Sequence, residues 1–319
     1  ERFAAYGDET FRQVAARTGL PLELLLVIRE AMGSAEARPD DRLRLDELNV
    51  VPMLHFMMGL GSRGSVVEGF IRVLGESLRR AAETEGDWWR SEVIPRFGDQ
   101  GPTYEQLVEL LGHDISRSSD EALLAIYRGQ QANAWLKNIF EGFGSSLVAA
   151  GLHTRDEHPP AMCFLDLTGY TRLTDERGDT AAAELASRLG RIVQRTSGQH
   201  GGRPVKWLGD GVMFHFREPG PAVLAALEMV ESGQKEGLPP ARVGLHAGPV
   251  LFREGDYFGR TVNVAARIAD YARQGEVLVS QEVVDASNGH GLVFAEIGAV
   301  ELKGLTETVR LHIAHRGPA

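Results

Sequence analysis

Along the first 150 residues apolar side chains recur at helical spacing almost without interruption, whereas beyond about residue 160 they fall into short β-type runs separated by helices. Thr10 is placed to cap a helix over 11–17 that Gly19 breaks, and Pro21 at a first-turn position opens a second helix through Met32 to Gly33. Further helices are expected near 49–59, 64–84, 87–95, 103–111 and 119–150, the last with an apolar stripe running from Leu123 to Phe143. The polar stretch Gly151 to Pro160 ends in a double proline and reads as a linker. After it the pattern predicts a buried strand over 161–167, an amphipathic helix over 180–198 and a hairpin over 205–216. A helix over 219–231, strand material over 241–251 with a turn at Gly248-Pro249, and a helix over 259–272 follow. Short strands close the chain at 276–280, 291–295, 299–302 and 308–314. Strand, helix, hairpin, helix, strand is the order of a ferredoxin-like sandwich. The expected organisation is therefore α+β: an all-α domain over 1–150, a linker over 151–160, and a sandwich over 161–319 with one sheet face left free for a partner.

Composition narrows the chemistry. A chain of 319 residues is long enough for two cores. The net charge of -10 and pI near 5.5 argue against a nucleic-acid or acidic-membrane partner, so an anionic substrate would need local cations or metals. Cys163 is the only cysteine, which excludes an intrachain disulfide and a cysteine-based zinc site and points to a reducing, cytoplasmic compartment. The run Leu22 to Ile28 is too short to span a bilayer and is interrupted by Glu23, so no membrane span is expected.

The first helix pair has the look of a helix-turn-helix, but the segment that would read bases, Leu22-Glu23-Leu24-Leu25-Leu26-Val27-Ile28, is core material. Residues 1–150 also carry 16 Lys+Arg against 23 Asp+Glu, so a helical packing unit is expected rather than DNA binding. Met53, Phe56, Met57 and Met58 form an adaptable apolar cluster that would fill a core or line a lipid-sized cavity. His153 and His158 in the linker read as solvated side chains, the alternative being groups that bias the geometry between the halves.

The candidate chemistry centres on Val205-Lys206-Trp207-Leu208-Gly209-Asp210-Gly211-Val212, in which Gly-Asp-Gly supplies the positive φ angles of a two-residue turn and sets Asp210 at the tip. Asp-Gly turns are common, so Asp210 needs a partner. Asp166 stands where an apolar strand runs into Thr168-Gly169-Tyr170-Thr171, a loop whose backbone N–H groups could cradle phosphate. Brought together on adjacent strands, the two acids would repel unless divalent cations neutralised them. Strand alternation should aim Trp207 away from the face of Lys206. His246 reads as a hydrogen-bonded core residue, and Asn263 and Arg267, four apart, share a helix face.

Five segments, Phe-x-Asp-x-x-Gly-Tyr-Thr from Phe164, Lys-x-x-Gly-Asp-Gly from Lys206, Arg-Val-Gly-Leu-His-Ala-Gly from Arg242, Asp-Tyr-Phe-Gly-x-x-Val-Asn-Val-Ala-Ala-Arg from Asp256 and Leu-Lys-Gly-Leu from Leu302, occur in register. Together they resemble the catalytic domain of class III nucleotidyl cyclases. The helical half is similar, less diagnostically, to regulatory domains of actinobacterial cyclases. The resemblance implies an adenylate cyclase making 3′,5′-cyclic AMP and pyrophosphate from ATP. It implies two Mg²⁺ or Mn²⁺ ions held by Asp166, Asp210 and the carbonyl of Leu167. Asn263 would orient the ribose, Arg267 would neutralise the α-phosphate, Arg242 and Lys303 would take the triphosphate tail, and Gly169, Tyr170 and Thr171 would line the substrate loop. In the family the acids and the base-reading residues come from different catalytic domains, which implies a head-to-tail homodimer, here with a lipid or proton effector at the helical domain. Lys206 can donate to N1 of adenine and Asp256 can accept from its N6 amino group, whereas guanine mismatches both. A guanylate cyclase, or a non-catalytic nucleotide sensor on the same fold, is the competing expectation.

Overall fold

The computed structural model describes residues 5–98, 101–106, 118–135, 158–287 and 290–317. The chain divides into two compact units, Glu1–Arg155 and Asp156–Ala319.

The first unit starts with a strand that helical periodicity did not predict. Strand β1 (Tyr6–Thr10) pairs antiparallel with β2 (Arg42–Arg44), and both are too short to show an alternating pattern in the sequence. Between them lie α1 (Phe11–Thr18) and α2 (Leu22–Ala31). Thr10 caps α1 in a reciprocal box with Gln13, and Gly19 ends it at φ 73°, where a side chain would be strained. Leu24, Leu25, Val27 and Ile28 of α2 are buried, so the helix-turn-helix reading gives way to a core-packing role. A short α3 (Leu45–Leu48) and α4 (Val51–Gly59) lead into α5 (Gly64–Trp88). This helix continues through a π turn at Trp89–Val93 and a 3₁₀ turn at Ile94–Phe97, so the break expected before residue 87 does not occur. Met53, Met57 and Met58 pack against this core while Phe56 is exposed, which favours core filling over a lipid cavity. Residues 104–106 and 118–135 are helical, Thr103 is not, and the remainder of those two expected helices, 107–111 and 136–150, lies with His153 outside the described residues.

A buried ion pair ties this unit together. Glu47 is fully buried, and its carboxylate accepts from Arg29 Nε at 2.7 Å and Nη2 at 2.9 Å and from the Arg44 backbone N–H at 2.7 Å. Such a fork is stable only while every partner is present.

The second unit is a sandwich around a seven-stranded sheet. Its elements are β3 (Ala161–Leu167), α6 (Tyr170–Gln199), β4 (Gly202–Leu208), β5 (Gly211–Phe216), α7 (Pro219–Lys235) and β6 (Ala241–Ala247). They give the order β6-β3-β5-β4, all antiparallel neighbours, which is the ferredoxin-like arrangement. The hairpin β7 (Leu251–Arg253) and β8 (Asp256–Phe258) and helix α8 (Arg260–Tyr271) come next. Strand β9 (Val277–Ser280), a short α9 (Gln281–Asp285), β10 (Leu292–Val300) and β11 (Val309–Arg316) extend the sheet beyond β6 in the order β9, β11, β10. Helix α6 starts ten residues before the amphipathic segment read from the sequence, because Gly178 at φ 81° breaks it into two pieces and hides its period. The two short strands expected over 291–302 are one strand, irregular between Glu296 and Gly298.

One sheet face carries Cys163, Leu165, Val212, Phe214, Val243 and Leu245 against α6 and α7. Burial there pushes the Cys163 thiol well above its ordinary range, so it is an apolar packing group. The opposite face was expected to be free and is not. Met162 and Met213 pack with Tyr257 of β8 and Ala265 of α8 on that side. Helix α8 approaches so closely that a Cβ on Gly244 would lie 2.1 Å from the backbone N of Ala269.

Glu47→Ala removes the Arg29 fork, leaving the Arg42 carbonyl and a 3.6 Å contact to Asp41, and should cost about 3–5 kcal/mol in denaturant unfolding of the first unit. Gly244→Ala must push α8 off the sheet, with an expected loss of about 1–3 kcal/mol or more, read as a lowered Tm of the second unit.

Candidate active site

Asp166 is the penultimate residue of β3, flanked in register by Gly211 of β5 and Arg242 of β6. Asp210 sits in the two-residue turn between Leu208 and Gly211, with Gly209 at φ 70°. The Leu167 backbone N–H donates to the Asp210 carbonyl at 3.3 Å, stitching the turn to the end of β3. A Cβ on Gly211 would stand 3.2 Å from Asp166 Oδ1, a tight contact that a larger residue could make only if the carboxylate shifted. The two acids therefore converge, as their positions in the sequence suggested.

Their electrostatics follow from that convergence. The Asp210 carboxyl is held above the usual carboxylate range, first by burial and then by the charge and hydrogen bonding of Asp166. Arg242 supplies a counter-charge: its Nε and Nη2 lie 2.8 and 2.6 Å from Asp166 Oδ2. Its Nη1 donates to the Asp270 carbonyl at 3.2 Å. Asp270 in turn accepts from Arg267 Nη1 at 2.8 Å, so an ion-pair chain runs from Asp166 through Arg242 and Asp270 to Arg267. Asp270 was not singled out in the sequence; its place three residues after Arg267 on α8 was the available signal. Asn263 and Arg267 both lie on the exposed side of α8.

Lys206 shares the acids' sheet face, opposite Met213. Its Nζ lies 3.1 Å from Asp256 Oδ2 on β8, so the proposed base-reading donor and acceptor are side by side. Trp207 points the other way, its ring 4.0 Å from where a Cβ on Gly190 of α6 would lie. The loop ahead of α6 has Gly169 at φ 76°. The Tyr170 hydroxyl donates to the Ala182 carbonyl at 3.0 Å and its ring packs on the core, which leaves its backbone, not its side chain, for a ligand. Thr171 follows in the first helical turn. His246 is buried and its Nδ1 lies 2.7 Å from Ser280 Oγ, the core role expected of it.

Lys303 is the outlier. Strand β9 runs parallel to β6 with Val277 beside Val243, and β11 returns antiparallel with Leu311 beside Ser280. The segment 301–308 entering β11 therefore lies at the end of the sheet remote from Asp166. It is also three strands away laterally, roughly 14 Å at about 4.8 Å per strand. Within one chain Lys303 does not join the acids.

Among the described residues no group of three or more His, Cys, Asp or Glu could hold a metal. The donor set at this site is instead two carboxylates and the adjoining Leu167 carbonyl, hard oxygen ligands suited to Mg²⁺ or Mn²⁺. The raised Asp210 carboxyl fits this, since like charges forced together are what a divalent ion would relieve.

Residues 154–315 match the Adenylate and Guanylate cyclase catalytic domain family. A pH-sensitive adenylate cyclase of Mycobacterium tuberculosis is 29% identical, the match covering 96% of this chain and 78% of that protein. An adenylate cyclase of Streptomyces coelicolor is 31% identical over 84% of this chain and 68% of its own length. A solved adenylate/guanylate cyclase/hydrolase from Silicibacter pomeroyi is 27% identical, covering 50% of this chain and 96% of that one at a TM-score of 0.43.

A carboxyl whose folded pKa is raised binds its proton more tightly when folded, so its ionisation costs stability as pH rises through that value. Asp210→Asn should therefore raise Tm at neutral pH in metal-free buffer and abolish the further rise that Mn²⁺ gives the unmodified chain, both read by calorimetry.

Proposed function

The chain belongs to the adenylate and guanylate cyclase catalytic domain family, and we propose that it is a homodimeric adenylate cyclase converting ATP to 3′,5′-cyclic AMP and pyrophosphate under the control of its N-terminal helical half. The observation that carries this reading is the convergence of Asp166 and Asp210 at the end of β3. With the Leu167 carbonyl they would hold two Mg²⁺ or Mn²⁺ ions. Bound there, such ions supply the charge that acidifies the ribose 3′-hydroxyl and neutralises the triphosphate.

The chain's own residues take the remaining roles. Asn263 orients the ribose, and Arg267 meets charge on the α-phosphate with a planar donor fork. Arg242 and Lys303 bind the triphosphate tail, and the N–H groups that open α6, at Gly169, Tyr170 and Thr171, line its approach. Adenine presents an acceptor at N1 beside a donor at N6, and the adjacent Lys206 Nζ and Asp256 Oδ2 offer the complementary pair. Guanine reverses both polarities. Each buried mismatch costs about 1–3 kcal/mol, so a preference for ATP over GTP of roughly ten- to a hundredfold per contact is expected.

A second copy supplies what one chain separates. The distance of Lys303 from Asp166 within a chain supports a head-to-tail dimer with two equivalent sites. Leu251, Phe252 and Phe258, exposed on the β7–β8 hairpin, offer apolar surface for such an interface. The match to a relative named as pH-sensitive extends over 96% of the chain, helical half included, and supports a regulatory role for that half with a proton as effector; a lipid is the alternative effector.

Cyclic nucleotide formation from ATP and from GTP with Mn²⁺ tests the reading. Activity with ATP should exceed that with GTP, and Asp166→Ala and Asp210→Ala should each lower it by about 10³-fold or more, as loss of metal-held transition-state stabilisation predicts. A wild-type chain no more active than Asp210→Ala would leave a nucleotide sensor rather than an enzyme. Removing residues 1–155 should change the pH profile or the response to fatty acid; identical profiles would remove the regulatory role.

A further inference from the structure

The base-reading pair is made by two elements that do not fix each other. Lys206 belongs to β4, the edge strand of the main sheet, whereas Asp256 begins β8, one arm of an isolated two-stranded hairpin three residues long on each side. A two-stranded ribbon of this size is marginal on its own, and its turn, Glu254 at φ 52° and Gly255 at φ 80°, sets no position relative to the sheet. The 3.1 Å contact between Lys206 and Asp256 is half exposed and too weak to hold the hairpin.

The residue after Asp256 does hold it. Tyr257 is buried, and its ring stacks on His215 of β5 with centroids 4.4 Å apart and planes 7° from parallel. Its hydroxyl accepts from Arg203 Nη2 at 2.7 Å. The same guanidinium lies 5.5 Å from the Tyr257 ring centroid and 5.4 Å from that of Phe252 on β7, so one arginine grips both arms of the hairpin. Arg203 is paired with His215 across β4 and β5 and lies on the strand that carries Lys206. Finally, the Tyr257 backbone N–H donates to Asp256 Oδ1 at 2.8 Å, which turns the other oxygen towards Lys206.

We propose that Arg203, His215 and Tyr257 form a positioning clamp that sets the gap between Lys206 and Asp256, and so governs discrimination between a 6-amino and a 6-oxo purine. The inference rests on the adenylate cyclase reading and deepens it. All three act as positioning residues through Asp256, whose carboxylate must stand a hydrogen-bond length from the lysine, 3.1 Å here, for the two to meet N1 and the exocyclic N6 on one edge of adenine.

The experiment is steady-state turnover of ATP and GTP by the full chain with Mn²⁺, comparing wild type with Tyr257→Phe, Arg203→Met and Arg203→Lys. Tyr257→Phe keeps the ring stack and loses only the hydroxyl acceptor. Both Tyr257→Phe and Arg203→Met should lower the ATP:GTP ratio of kcat/KM by roughly three- to tenfold, the loss of one positioned hydrogen bond. That loss should appear in KM for ATP, with kcat within about twofold, because base contacts bind ground and transition states alike. Arg203→Lys, which can still donate to the hydroxyl, should keep most of the ratio. A ratio unchanged in Tyr257→Phe and Arg203→Met, with activity on both nucleotides falling together, would overturn the clamp and leave a merely structural stack. Should either variant fail to fold, as seen by thermal unfolding, the other decides. The two readings fail differently: a wild type with no purine preference sinks both, whereas a preference lost in Lys206→Ala but kept in the clamp variants sinks only this one.

Discussion

Two carboxylates held where their charges oppose each other are the constraint on which the second unit depends. Burial and mutual repulsion push the Asp210 carboxyl towards its protonated form and outweigh the counter-charge of Arg242. The sheet enforces the arrangement. Asp166 is locked in register between β5 and β6, and the turn bearing Asp210 is fixed by backbone bonds at its base. The apolar face packed on α6 and α7 contributes the stability that offsets this local strain, a trade typical of sites built for charge.

Helix α8 couples packing to chemistry. Its inward residues Val264, Ala265, Ile268 and Ala269 are buried against the sheet, and the spacing that buries them turns Asn263 and Arg267 outward. The absence of a side chain at Gly244 is what permits the close approach, so the height of those two polar groups above the sheet is set by a residue that makes no contact with them. The β7–β8 hairpin follows the same logic, with an aromatic stack beneath it and a carboxylate displayed at its edge.

Much of this was legible from the residues. Strand β3 falls on the segment read from continuous apolar character, because a strand buried on both faces needs no alternation. The Gly-Asp-Gly turn was readable because positive φ leaves few alternatives to glycine. Strands β1 and β2 were not, since five and three residues of mixed character carry no period. The covered second face was missed for a related reason: α8 is amphipathic, but sequence does not say which side of a sheet a helix packs on. The pairing of Arg242 with Asp166 escaped notice because 76 residues separate them and only the strand register brings them together. The grip of Arg203 on Tyr257 is likewise a long-range contact with no local signature.

That arginine beside Asp166 has an implication for how a nucleotide would be received. With its fork already engaged by Asp166, Arg242 is not a cation waiting in open solvent. A triphosphate arriving with its counter-ions would swap partners rather than add to a standing field: phosphate oxygens replace the carboxylate at the guanidinium, and the released carboxylate becomes available to the incoming ions. On the proposed reading, net affinity would be the difference between two ion pairs rather than the sum of either, and metal and nucleotide would each ease the binding of the other.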